Sequence, residues 1–133
     1  MEVTKLLSIV VDNRPGALAE VSRLLGSANI NIDAIMGEGL AEMGIIRVIT
    51  ADQESAEKIL KKNNFKIIDL NVIALDVPDR PGVLAKISDE MSKRKINIDF
   101  MYQVKASEGT ARLYIKPDNM DRAIKFLGNV TFV

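Results

Sequence analysis

The sequence predicts an α+β fold of two tandem βαββαβ units, each with an antiparallel sheet and both helices packed on one face. The first observation is a duplication: residues 14–36 recur without a gap at 80–102, and ten of the 23 aligned positions are identical. The second is that each copy begins with alternating apolar residues, as a half-buried strand does: Leu7, Ile9 and Val11 in the first copy and Ile73, Leu75 and Val77 in the second. The third is that each copy continues with apolar residues at helical spacing, which indicates a helix packed on that strand. This apolar stripe consists of Leu18, Val21, Leu24 and Leu25 in the first copy and of Leu84, Ile87 and Met91 in the second.

The remaining elements follow in the same order in both copies. In the first copy we predict a strand over 6–11, a helix after Pro15, strands from 30–33 and over 45–50, a helix after Asp52 and a strand over 65–70. In the second copy we predict a strand over 72–77, a helix after Pro81, strands from 96–99 and over 112–116, a helix after Asp118 and a strand over 130–133. Two helices on one face of four antiparallel strands make the ferredoxin-like arrangement. The predicted domains are residues 1–70 and 71–133.

The junction between the copies contains no Gly or Pro from Phe65 to Val77. We therefore expect no flexible linker there. The apolar alternation changes phase from Ile68, Leu70 and Val72 to Ile73, Leu75 and Val77, which predicts a bend or bulge near residues 71–73.

Composition excludes several classes of function. Lys and Arg together number 18, as do Asp and Glu, so no broad electrostatic field favours nucleic acid or an anionic membrane as partner. The chain contains neither His nor Cys, which removes the usual metal ligands, thiol nucleophiles and the side chain best suited to proton transfer near neutral pH. We expect no catalytic residues, no metal and no cofactor. The short apolar run near the N-terminus predicts neither a signal peptide nor a membrane span, and a cytoplasmic protein is expected.

The repeated Arg-Pro-Gly triplets stand between a strand and a helix. If Pro15 and Pro81 are the first helical residues, the cap positions fall on Arg14 and Arg80, which cannot accept a hydrogen bond. The backbone N–H groups at the helix start are then available to an anion such as a carboxylate, and these groups belong to Gly16, Ala17, Leu18, Gly82, Val83 and Leu84. The alternative is a tight turn in which Asn13 and Asp79 fold back as local caps.

A second repeated polar residue lies beyond each helix. Asn31 and Asn97 stand between Ile residues, and their amides offer both a donor and an acceptor to a zwitterion. The alternative is that these Asn residues end the helices in the left-handed conformation. Spacing alone leaves both interpretations open.

These residues together resemble the ACT domain family, whose members are small amino-acid-sensing modules with a βαββαβ fold. The resemblance rests on a strand, Asn/Asp-Arg-Pro-Gly-x-Leu, and Ile-Asn-Ile about ten residues later, and it covers nearly the whole chain as two copies. It implies regulatory binding of an amino acid where two domains pair. The residues it assigns to the site are Asn13, Arg14, Gly16, Ala17, Leu18 and Asn31 in the first copy and Arg80, Gly82, Val83, Leu84 and Asn97 in the second.

Two departures from the family pattern bear on ligand binding. Asp79 replaces the Asn of the first copy, and its negative charge predicts weaker binding of a carboxylate in the second copy. Val11 and Val77 stand where some members of the family place a ligand-contacting His.

The predicted function is therefore that of a non-enzymatic regulatory protein that binds a small amino acid at domain interfaces, as a homodimer or larger symmetric oligomer. The alternative is a regulatory subunit of a separate amino-acid biosynthetic enzyme such as acetohydroxyacid synthase. RNA binding on the sheet is disfavoured by zero net charge and few aromatic residues, four Phe and two Tyr. Acylphosphatase-type catalysis is disfavoured because the loop has one Gly after Pro instead of a Gly-rich phosphate cradle.

Overall fold

The computed structural model describes residues 1–130, which form six strands and four helices. The two strands predicted over 65–70 and 72–77 are one continuous strand, and the other elements follow the predicted order. The elements are β1 (Glu2–Asp12), α1 (Ala17–Ser27), β2 (Ile32–Leu40), β3 (Met43–Thr50), α2 (Gln53–Lys62), β4 (Lys66–Pro78), α3 (Val83–Lys93), β5 (Ile98–Ser107), β6 (Thr110–Pro117) and α4 (Met120–Leu127). The predicted α+β class with two ferredoxin-like βαββαβ units is confirmed. Of the closing strand predicted over 130–133, residues 131–133 lie outside the described residues.

The structure divides into two units by Cα packing. The first unit is Lys5–Leu70, and the second joins Met1–Thr4 to the chain from Asn71 onward. The predicted domains were 1–70 and 71–133, so residues 1–4 are grouped differently. The reason is that β1 begins at Glu2, well before the predicted residue 6. Its first residues are mainly polar and carry no apolar alternation by which the strand could be recognised.

In the first unit the strand order is β2-β3-β1-β4. The pairs β1–β3 and β2–β3 are antiparallel, with Leu7 opposite Val48 and Ile35 also opposite Val48. Apolar residues of α1 and α2 pack on the sheet face that carries Leu7 and Ile9, because both helices present one apolar stripe. The buried core comprises Leu7, Ile9, Val21, Leu25, Ile30, Ile46, Val48, Ala56 and Leu60.

In the second unit the order is β1-β4-β6-β5, with the start of β1 beside β4. The pairs β4–β6 and β5–β6 are antiparallel, and Leu75 lies opposite Leu113. The start of β1 thus holds the place beside β4 that the predicted closing strand of this copy would take in a ferredoxin-like unit. The core includes Ile73, Leu75, Val77, Ile87, Met91, Leu113, Ile115 and Leu127.

The junction between the copies is a single strand, β4, which spans thirteen residues. The apolar alternation predicted for the first half of this strand was wrong at Ile68. Ile67, not Ile68, packs against the core of the first unit, while Ile68 is exposed. Ile73 and Leu75 pack in the core of the second unit as predicted. No helix in residues 1–130 is long and apolar enough to cross a membrane.

Candidate functional site

The Arg-Pro-Gly loops place glycine, not arginine, at the start of each helix. Gly16 and Gly82 are the cap residues, with φ of +93° and +89°, and the helices begin at Ala17 and Val83. The prediction that Pro15 and Pro81 are the first helical residues, with Arg14 and Arg80 as caps, was therefore wrong. Glycine is required because a Cβ is strongly disfavoured at this left-handed backbone angle.

The loop helices α1 and α3 have no side-chain cap, whereas the other helix in each unit does. At α2, Asp52 accepts a hydrogen bond from the N–H of Ser55 at 3.1 Å. At α4, Asn119 accepts from the N–H of Arg122 at 3.0 Å. The Ser55 side chain and, second, its backbone N–H hydrogen-bond the Asp52 carboxylate and hold the pKa of Asp52 below its usual value.

The first turns of α1 and α3 consequently carry backbone donors with no protein acceptor in the described part of the chain. Of the six N–H groups predicted to be available, that of Ala17 donates to the carbonyl of Arg14 at 3.3 Å. The other five, on Gly16, Leu18, Gly82, Val83 and Leu84, have no such acceptor within residues 1–130. These groups lie at the positive end of a helix dipole and are suited to an anion.

The residue before each Arg-Pro-Gly triplet is fixed to the neighbouring hairpin. Asn13 donates its backbone N–H to Glu42 and its side-chain amide to the carbonyl of Ala41, each at 2.9 Å. Asp79 repeats the backbone bond, donating to Gly109 at 3.0 Å. The Asn13 side chain packs against Gly39, where a Cβ would lie only 2.5 Å from the Asn13 side-chain nitrogen Nδ2. The alternative in which Asn13 caps the helix is therefore wrong, because its side chain is held by the β2–β3 turn.

Glu20, which the sequence analysis did not single out, belongs to the first loop. The Arg14 guanidinium lies 3.1 Å from the Glu20 carboxylate. Both residues, with Asp12, Ala17 and Met43, line a cleft of about 300 Å³ in the first unit. The signal that could have found Glu20 is a reversal of charge between the copies, since the matching residue is Lys86.

Leu18 and Leu84 were expected in the apolar stripe facing the core. Their side chains are instead 50% and 44% exposed. The buried positions one residue earlier, Ala17 and Val83, take that place because the helix begins at them. Each loop thus presents an exposed Leu side chain beside its free N–H groups.

Asn31 and Asn97 do not end the helices in the left-handed conformation. Asn29 and Lys95 have that conformation instead, with φ of +55° and +56°. Asn31 is exposed and donates to Asp33 at 3.0 Å, and Asn97 donates to Asp99 at 3.3 Å. The turn-residue alternative is therefore wrong for these Asn residues, whose side chains lie at the surface just before β2 and β5.

Within one unit the structure does not bring the loop and the Asn together. Helix α1 has eleven residues and separates Gly16 from Asn31 by roughly 16 Å at 1.5 Å per residue. Helix α3 has the same length and separates Gly82 from Asn97 in the same way. The grouped residues of the first unit are Asn13, Arg14, Gly16, Ala17 and Leu18, whereas Asn31 lies at the opposite end of the helix. No group of three or more acidic or metal-ligating side chains in residues 1–130 is placed to hold a metal ion.

Comparison with known proteins connects this geometry to a family. A family model described as an ACT domain pair matches residues 1–133. A crystal structure of a protein from Bacteroides thetaiotaomicron is 37% identical over 95% of this chain and 87% of that chain, with a TM-score of 0.90. No curated protein matches the chain.

Two more distant structures share the fold. The regulatory subunit of aspartate kinase from Thermus thermophilus, in its ligand-free form, is 15% identical over 86% of this chain and 87% of that chain, with a TM-score of 0.63. The corresponding subunit from Thermus flavus is also 15% identical, over 96% and 95% of the two chains, with a TM-score of 0.64. At this identity the likeness concerns the fold alone.

Proposed function

Since the chain belongs to the family of ACT domain pairs, we propose that it is a non-catalytic regulatory protein that binds a small amino acid at its Arg-Pro-Gly loops. The observation that carries this proposal is the contrast between helices within each unit. Helices α2 and α4 are capped by a side chain, whereas α1 and α3 begin at a left-handed glycine and have no side-chain cap. A helix start left open in both copies of a duplicated unit is suited to a ligand carboxylate.

The remaining contacts of the ligand follow from the same loops. The exposed side chains of Leu18 and Leu84 offer an apolar surface to the ligand side chain. The Asn amide offers an acceptor to the ligand ammonium. Because Asn31 lies roughly 16 Å from Gly16 along its own helix, one small ligand reaches both only if they come from different chains. The proposal therefore includes a homo-oligomer in which the loop of one chain faces the Asn of another chain.

The proposal predicts stabilisation by one or a few amino acids. We expect the matching amino acid, at 100 times its dissociation constant, to raise the free energy of unfolding by about 2.7 kcal/mol. A thermal-shift screen of the twenty amino acids measures this, with the corresponding amino-acid amides as controls that lack the carboxylate. A screen in which no amino acid raises the melting temperature would reject amino-acid binding by the chain.

A second candidate function is that of a regulatory subunit bound to a separate amino-acid biosynthetic enzyme, such as acetohydroxyacid synthase. It is favoured by the tip of the β2–β3 hairpin, where Leu40 and Met43 are directly paired and are 79% and 59% exposed. Paired apolar side chains this exposed are typical of a protein contact surface.

The subunit hypothesis predicts that the hairpin tip is needed for association. We expect the chain to retain a catalytic polypeptide through purification from native extract and to change the activity of that enzyme. The double variant Leu40→Ser, Met43→Ser should lose this association while keeping its melting temperature, because both side chains are already exposed. Retention of the same enzyme by the variant would exclude the hairpin tip as the docking surface.

A further inference from the structure

The two Arg-Pro-Gly loops share their backbone geometry but differ in charge. The first loop and the first turn of its helix, residues 12–20, contain Asp12, Arg14 and Glu20, which are two negative groups and one positive group. The corresponding stretch of the second copy contains Asp79, Arg80 and Lys86, which are one negative group and two positive groups. The difference between the loops is therefore two charges, and it favours an anion at the second loop.

The structure adds a contact that the charges alone do not reveal. In the first unit, Glu20 lies against Arg14, with Nη2 and Oε2 3.1 Å apart, and both line the cleft beside Ala17. In the second unit Arg80 has no acidic partner among the described residues, and Lys86 stands in the place of Glu20. The turns of the neighbouring hairpins do not offset this difference, since each carries one Glu, at positions 42 and 108.

We propose that Glu20 is a specificity-determining residue of the first loop, which occupies Arg14 and competes with a ligand carboxylate, so that the second loop binds a carboxylate first. This inference rests on the proposed function of the loops. The opposite order was expected from Asp79 alone, but Asp79 adds one negative charge whereas Glu20 and Asp12 add two to the first loop. Glu20 acts through Arg14 and is a positioning residue. The two units of one chain would thus fill in sequence as ligand concentration rises.

The test is an NMR titration of the full chain with sodium acetate, the simplest carboxylate, against sodium chloride at matched ionic strength. The amide signals of Gly82 and Leu84 should respond to acetate at lower concentration than those of Gly16 and Leu18. Glu20→Gln should tighten acetate binding at the first loop by about two- to fivefold, because it removes an exposed ion pair, and should leave the second loop unchanged. Lys86→Gln should weaken binding at the second loop by a similar factor.

Two controls separate this effect from a general change of charge or stability. Glu54→Gln removes a more exposed carboxylate that pairs with Lys58 on α2, and it should leave both loops unchanged. In the Arg14→Gln background, Glu20→Gln should lose most of its effect, because Glu20 then has no guanidinium to occupy.

The inference is overturned if both loops respond equally, if the first responds before the second, or if Glu20→Gln gives no gain. It is also overturned if neither loop responds to acetate. Binding of an amino acid by the chain is judged separately by the thermal-shift screen. Equal acetate responses of the two loops together with a positive screen would therefore reject the role of Glu20 and retain the proposed function.

Discussion

Replacing Leu60 with Ala is expected to lower the free energy of unfolding by about 2–5 kcal/mol. Leu60 lies on α2, is fully buried, and packs in the core of the first unit with Leu7 and Val48 on the sheet. The substitution removes three carbons from this core and leaves a cavity that the packed strands cannot fill. Chemical denaturation followed by circular dichroism, at one fixed protein concentration, measures the difference.

The control for Leu60→Ala is the same chemical change at an exposed position. Leu40→Ala, at the hairpin tip, should change the free energy of unfolding by no more than about 0.5 kcal/mol, because that side chain is 79% exposed. Equal stability of the two variants would contradict the packing of α2 on the sheet.

Replacing Asn31 with Ala is expected to weaken amino-acid binding about ten- to a hundredfold. The proposed contact is a hydrogen bond to a charged group of the ligand, and each such bond contributes roughly 1.5 to 3 kcal/mol. Asn97→Ala tests the second copy in the same way. Calorimetry with the amino acid selected by the screen gives both affinities.

Asp33→Ala is the matched control for Asn31→Ala. In the structure the Asn31 amide donates to Asp33 at 3.0 Å, so both variants lose this contact, but only Asn31→Ala loses the amide itself. If Asn31 serves only to hold Asp33, the two variants will have the same affinity. Unchanged affinity in both Asn31→Ala and Asn97→Ala, with folding intact, would remove these Asn residues from the proposed site.

Much of the fold follows from period and repetition. The ungapped repeat and the alternation of Leu7, Ile9 and Val11 predicted the correct face of β1, because one buried face of a sheet imposes a period of two. The errors lie where burial does not follow the local pattern. Leu18 has the right spacing for the helical stripe but lies in the first turn, where Ala17 already covers the core. Ile67 and Ile68 are equally apolar, but only Ile67 packs against the core of the first unit. The sequence could not choose between them, because the face that each strand residue takes is set by pairing with distant residues.

The candidate site was less predictable than the fold, because it depends on side-chain direction. Arg14 and Glu20 are six residues apart, a spacing that brings side chains together neither within a regular helix nor within a strand. They meet because Gly16 reverses the chain at a left-handed angle between them, and that angle is not visible in the sequence until the turn is known. The same backbone angle moved the start of the helix from Pro15 to Ala17.

The membership of Met1–Thr4 in the second unit bears on how the chain acquires its structure. These residues are synthesised well before the partner strand β4 emerges, so the edge they occupy beside residues such as Ala74 closes across about seventy positions of chain. Contacts of such sequence separation form late, since the entropy of closing the intervening loop must be overcome first. A fragment that begins at residue 71 would lack Met1–Thr4. The backbone of β4 that these residues cover would then be exposed, and an exposed strand edge is a common starting point for aggregation. A protein fused to the N-terminus would likewise be attached directly to the second unit, and we expect it to interfere with the pairing of Met1–Thr4 with β4.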